Sequence, residues 1–155
     1  MRMWHYKLLP YLPDYQLKGQ LRELIAIMHN WRDKGSPKSV IIDIIKEYPK
    51  DDFLRYFEYY CWVYSFRYHK PVADSWKIEF VEFCFGDKGV YDTTKYNSFP
   101  GEIFKDWHNK EYLRVCMANL YEKYKFGRGK SKISEEDWKR LLNGYKEITH
   151  EEYKL

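Results

Sequence analysis

Apolar residues recur along most of this chain at intervals of three and four, the spacing that gathers them on one side of an α-helix. The clearest run is Leu17, Leu21, Leu24, Met28 and Trp31, one stripe down a long first helix. Asp14 is a good N-cap for that helix and Gly35 a natural stop. An irregular arm with Pro10 and Pro13 precedes it. Ser36-Pro37 reads as a cap with proline in the first turn, opening a second helix through Val40, Ile41, Ile44 and Ile45 that Pro49 closes. Asp51 or Asp52 caps the next, from Phe53 to about Tyr68, aromatic enough to cross the centre of a domain. Asp74 to Phe85 reads as helix, although its alternating Ile78, Phe80, Phe83 and Phe85 leave a strand open.

Residues 86–100 carry glycines, a Thr-Thr pair and Asn97-Ser98, and read as a long loop or insertion. Helix resumes from Asn109 to Tyr124, with Tyr112, Val115, Cys116, Ala118 and Leu120 expected to be buried. Lys123 to Lys132 is a basic, glycine-broken loop. Ser134, with Asp137 three residues on, starts a last helix through Trp138, Leu141 and Leu142 in the manner of a capping box. The pattern predicts an all-α fold: a compact helical bundle, one domain over 1–155, with an irregular N-terminal arm against a long first helix.

Composition adds one unusual feature. The chain holds 16 Tyr, 9 Phe and 6 Trp, 20% aromatic in all. Such side chains fill small cores, and on a surface they stack bases; the core reading is favoured. With 27 basic and 23 acidic residues the net charge is +4, compatible with a polyanionic partner but far from a histone-like tail. Cys61, Cys84 and Cys116 form no CxxC pair, so a zinc ribbon or a disulfide framework is not indicated; free thiols in a reducing cytosol are expected. The opening MRMWHYKLLP lacks an apolar core and a cleavage site, and no apolar run is long enough to span a membrane. These features predict a soluble, cytoplasmic protein.

The candidate chemistry lies between Met1 and Leu24. On a helical wheel Gln16, Gln20 and Glu23 fall within about 60° of one another, off the leucine stripe. Arg22 and Lys18 lie on the other polar flank. Elsewhere, His5 follows Trp4 in the arm, where it either contacts phosphate or packs the arm down, and Trp4 reads as an anchor. Lys125 and Arg128 belong to the loop Lys123-Tyr124-Lys125-Phe126-Gly127-Arg128-Gly129-Lys130, whose mixture of cations and aromatics suits phosphate gripping as well as it suits a solvated loop. His108 and Glu111 gain no second ligand pair from His29, His69 or His150, so no metal site is indicated. Gly127-x-Gly129 lacks the spacing of a phosphate-binding fingerprint.

The pattern Leu12-x-Asp14-x-x-Leu17-x-x-x-x-Arg22-Glu23-Leu24, so close to the N-terminus, resembles the pyrimidine dimer DNA glycosylases of the phage endonuclease V type. The opening MRMWHYKLLPYLPDYQLKGQLRE resembles that family's bacterial branch more closely still, and Asn109 to Arg114 with Asn119-Leu120 is a weaker second match. The resemblance implies an all-helical, monomeric enzyme on UV-damaged double-stranded DNA, needing neither metal nor organic cofactor. It implies that the N-terminal amine attacks the sugar C1′ and forms an imine, that the residue matching Glu23 stabilises the sugar cation and handles protons, and that β-elimination nicks the strand. DNA contacts are then expected from Arg2, His5, Gln16, Lys18 and Arg22, with Lys125 and Arg128 of the basic loop. The chain departs from the family in three places. Residue 2 is arginine, which methionine-removing enzymes normally reject, so the Met1 amine is itself the candidate nucleophile. Gln16 replaces a histidine, and the Ile25–Ile27 region lacks an arginine. A catalytically silent relative that binds DNA or protein, and a glycosylase for another modified base, are the alternatives.

Overall fold

A computed structural model describes residues 2–33, 40–86 and 101–155. Every regular element among them is helical, as the periodicity predicts. After a 3-10 helix at Tyr6–Tyr11 come α1 (Asp14–Arg32), α2 (Val40–Ile45), α3 (Lys50–Tyr68), α4 (Asp74–Phe85), α5 (Lys110–Phe126) and α6 (Glu135–Thr149), with a short 3-10 turn at Gly129–Ser131. Contacts gather the described residues into two compact units. One lies within Met1–Met3 and Leu21–Phe104, the other comprises Trp4–Gln20 and Lys105–Leu155.

The first unit is built on aromatic stacking. Helix α3 buries Phe53, Tyr56, Phe57, Tyr60 and Val63 among others, so it is enclosed on most sides, as its composition suggests. Phe57 of α3 stacks on Phe80 of α4 with ring centroids 3.8 Å apart and planes 2° from parallel. Phe53 and Trp31 extend this core. The choice between helix and strand for 74–85 falls to helix. Only Phe80 and Val81 of its large apolar residues are buried, while Ile78 and Phe85 are half exposed. Glu79 joins His29 at 2.7 Å and Arg32 at 2.9 Å. Cys61 is buried, and burial pushes its thiol well up; Cys84 is pushed up to about 12 by the same cause.

One expectation is corrected at the start of α3. The N-cap of α3 is Pro49, and Asp51 and Asp52 sit in the first turn, where carboxylates favour the helix dipole. Asp52 also ties down the end of the unit, its Oδ2 accepting the Phe104 N–H at 3.1 Å, and Phe104 is held at φ +50. The Ser36-Pro37 cap and the 86–100 loop lie mostly or wholly outside the described residues.

The second unit packs the arm and the start of α1 with α5 and α6. Asn109 caps α5 by accepting the Tyr112 N–H, and Ser134 caps α6 by accepting the Asp137 N–H at 3.1 Å. The buried face of α5 is Leu113, Cys116, Met117 and Leu120. Val115 is 52% exposed, so the expected set is rotated around the helix by part of a turn. The true face keeps the i, i+3, i+4, i+7 rule. On α6 the buried Gly144 receives the Tyr11 ring so closely that a Cβ there would lie 2.5 Å from it. Tyr11 Oη donates to Glu147 at 2.6 Å, and the Arg140 guanidinium donates to the Leu12 carbonyl at 3.1 Å. The arm is thus fastened to α6 by packing and by polar bonds.

Candidate active site

Leucine and methionine on one stripe oblige α1 to bury that side, and the arm closes over the adjoining edge. Trp4, read as an anchor, is 4% exposed. Its backbone N–H donates to Gln20 Oε1 at 2.8 Å. Gln16, 6% exposed, donates from Nε2 to the Ser131 carbonyl at 3.0 Å. The amide edge of α1 is therefore interior, contrary to its reading as a polar face. On the wheel Gln20 stands only about 20° from Trp31, close enough to share the buried side.

Further along the same helix, Glu23 is half-buried and Arg22 exposed; Lys18 is exposed as well. Arg2, in the unit that holds Glu23, is half-buried. Met1 lies outside the described residues.

His5 is 2% exposed. It caps the 3-10 helix, its Nδ1 accepting the Lys7 N–H at 3.1 Å. Beside it His108, considered in the sequence only for a metal site that is not indicated, accepts the Tyr6 N–H on Nδ1 at 3.2 Å. His5, Tyr6, His108 and Tyr112 form one group of rings, with the two imidazole centroids 5.1 Å apart. Burial drives His5 down to about 4, with the Lys7 charge adding to it and a bond to His108 opposing, and burial drives His108 well below the usual histidine range. Both imidazoles are neutral at physiological pH, with Nδ1 free to accept. His5 and Gln16, both expected at DNA, are buried, and each is bonded to a backbone partner within its unit. A cavity of about 170 Å³ beside the histidines is lined in part by Lys7 and Lys110, the latter neutralised by Glu151 at 2.5 Å.

The basic loop is more ordered than its composition suggests. Helix α5 runs on through Lys125 to Phe126. Gly127 then donates to the Lys123 carbonyl so closely that a Cβ would lie 2.2 Å from that oxygen, and Gly129 adopts φ +65. Only glycine fits the first position without moving the backbone. Lys125, Arg128, Lys130 and Lys132 are all exposed, and among the described residues no carboxylate pairs with them. No group of three His, Cys, Asp or Glu side chains converges on a common point among the described residues. Nor is any described helix long and apolar enough to cross a membrane.

The arm and the stretch through α1, α2 and α3 coincide with a known pattern. Residues 1–76 match the family model described as pyrimidine dimer DNA glycosylase, a stretch just under half of the 155 residues. The resemblance carried by the N-terminal motif is thereby borne out for that stretch, which contains Arg2, Arg22 and Glu23. No curated protein and no solved structure matches the chain.

Proposed function

We propose that the protein is a DNA glycosylase with abasic-site lyase activity, acting as a monomer on UV-damaged duplex DNA. The observation that carries this reading is the family match over 1–76, which encloses both the arm and Glu23. The nucleophile is the α-amine of Met1. Such amines titrate near 7.7–8.0, so a usable fraction is neutral at physiological pH, unlike a lysine near 10.4. The amine nitrogen bonds to the sugar C1′, the glycosidic bond breaks, and the base leaves with its electron pair and takes up a proton. The adduct nitrogen loses a proton and the C1′–O4′ bond breaks, O4′ taking up a proton, to give the ring-opened imine; removal of a C2′ proton then expels the 3′ phosphate by β-elimination and cleaves the strand. Glu23 supports the positive charge on the sugar and carries these protons.

Arg2, Lys18 and Arg22 supply phosphate contacts near the reacting sugar, and Lys125 and Arg128 supply them from the basic loop. The exposure of Lys18, Arg22, Lys125 and Arg128 supports the assignment, and the burial of His5 and Gln16 speaks for a structural role at those two positions. Arg2 and Arg22 also oppose the tendency of Glu23 to hold the amine protonated.

Glu23→Gln is the first test. Cleavage of dimer-containing duplex is expected to fall by at least a thousandfold, with binding within a few-fold of the parent and the fold unchanged. Turnover at the parent rate would remove Glu23 from the mechanism. Binding to duplex should also weaken steeply as salt rises, because several phosphates release counterions. Steep salt dependence without any cleavage would instead mark a catalytically silent DNA-binding relative.

A further inference from the structure

The basic loop is held at its two ends and at its middle. The Gly127 and Ile133 N–H groups both donate to the Lys123 carbonyl, at 3.1 and 3.3 Å, so one oxygen closes the loop where it leaves α5 and where it turns toward α6. Between them the Lys132 N–H donates to the Gly129 carbonyl and the Ser131 hydroxyl to the Arg128 carbonyl. These bonds are local. Gln16 adds one from another element, its Nε2 donating at 3.0 Å to the Ser131 carbonyl, 115 positions along the chain and in the same compact unit. A side-chain amide only 6% exposed costs free energy unless it is bonded. The bond to the loop explains a glutamine on the interior side of α1.

What the loop carries gives that bond its consequence. Lys125, Arg128, Lys130 and Lys132 are exposed. Of the carboxylates in the first turn of α6, Glu135 pairs with Lys139 and Asp137 with Arg140, both on their own helix. The four cations stay available to an external polyanion. A nucleic-acid backbone presents its charges at a regular spacing, and a loop already held in one shape loses less conformational entropy in matching them than a loop ordered on contact. Gly127 and Gly129 leave the backbone free to change shape once a tether is cut.

We propose that Gln16 is a positioning residue for duplex binding: through the Ser131 carbonyl it holds the loop in the shape in which Arg128, Lys130 and Lys132 meet phosphates together. This rests on the contact between the loop and duplex phosphate proposed above.

The experiment compares the full chain with Gln16→Met, which keeps the volume and removes the donor, and Gln16→His, which puts a ring N–H at nearly the same reach. Affinity for undamaged duplex, which reads binding without cleavage, is measured over a series of salt concentrations, and amide hydrogen exchange is followed across the loop. For Gln16→Met the expected result is affinity about tenfold weaker at low salt, a log–log salt slope shallower by about 1–2, and faster exchange at Lys132 and Ile133. Gln16→His should recover affinity to within about threefold of the parent. In an Arg128→Ala/Lys130→Ala background Gln16→Met should change affinity by less than about twofold, because the cations it positions are gone. Should Gln16→Met fail to fold, Gln16→Asn, which withdraws the amide by one methylene, takes its place with the same expectations. Faster exchange in the loop with affinity and slope as in the parent overturns the positioning role alone. Weaker binding with exchange at the parent rate overturns it too, and makes Gln16 a direct contact. Parent binding that neither salt nor the Arg128→Ala/Lys130→Ala pair alters overturns the loop contact, and the positioning role with it.

Discussion

The two units of this molecule are held together internally by different means. In the first, α3 and α4 meet through rings stacked on rings, as in Phe57 on Phe80, and the polar bonds among its side chains lie toward the outside, as in His29, Arg32 and Glu79. In the second, long-range polar bonds run through the interior: Trp4 to Gln20, Tyr6 to His108, Gln16 to the Ser131 carbonyl. Stacking tolerates small shifts, because its energy varies slowly as rings slide. A buried hydrogen bond does not, because losing one partner strands the other without water. The arm that leads to the proposed nucleophile is anchored by the less forgiving kind of contact.

The contrast is open to attack from both sides. The largest effect should come from the aromatic core: Phe57→Ala is expected to cost about 3–5 kcal/mol in urea unfolding, through lost burial and the cavity left over Phe80. Acid should discriminate between the units. His5 and His108 are kept neutral by burial, so the unfolded chain binds protons that the folded chain refuses as pH falls. The histidine contribution is then constant above pH 7 and declines from about 6.5 toward 4, where His5 alone accounts for roughly 3 kcal/mol. Hydrogen exchange at residues 4–12 should rise over that range, and equal acceleration in α3 would erase the distinction. Gly144→Ala pushes a methyl group against the Tyr11 ring and is expected to cost about 1–3 kcal/mol, read in the same denaturant series. Ser134→Ala removes only the cap of α6, for about 1 kcal/mol.

Local signals make much of the fold readable from the sequence. Asn109 and Ser134 begin helices because their side chains accept first-turn amides, and Asp14 lies in the first turn of α1, where its charge favours the helix dipole, a matter of three or four neighbouring residues. The stripe of α1 is equally local. Gln16 and Gln20 look like a polar edge in the sequence because their partners, at Ser131 and Trp4, are 115 and 16 positions away. No periodicity reports a backbone N–H arriving from elsewhere. His108 shows this most plainly, serving Tyr6 across 102 positions. Its neighbour Asn109 is legible as a cap, yet nothing nearby marks the histidine as an acceptor for the arm. Glu23 and Arg22 stand out only because the arrangement around them matches a family pattern, not because an Arg-Glu pair on a helix is unusual.

Which atom of the protein joins DNA is the question on which the proposed chemistry turns. Borohydride reduction of the parent chain on abasic duplex, followed by digestion and mass mapping, locates that atom. The predicted result is a single adduct on the amine of residue 1, lost after N-terminal acetylation. An adduct on a lysine side chain, or none at all, would contradict it.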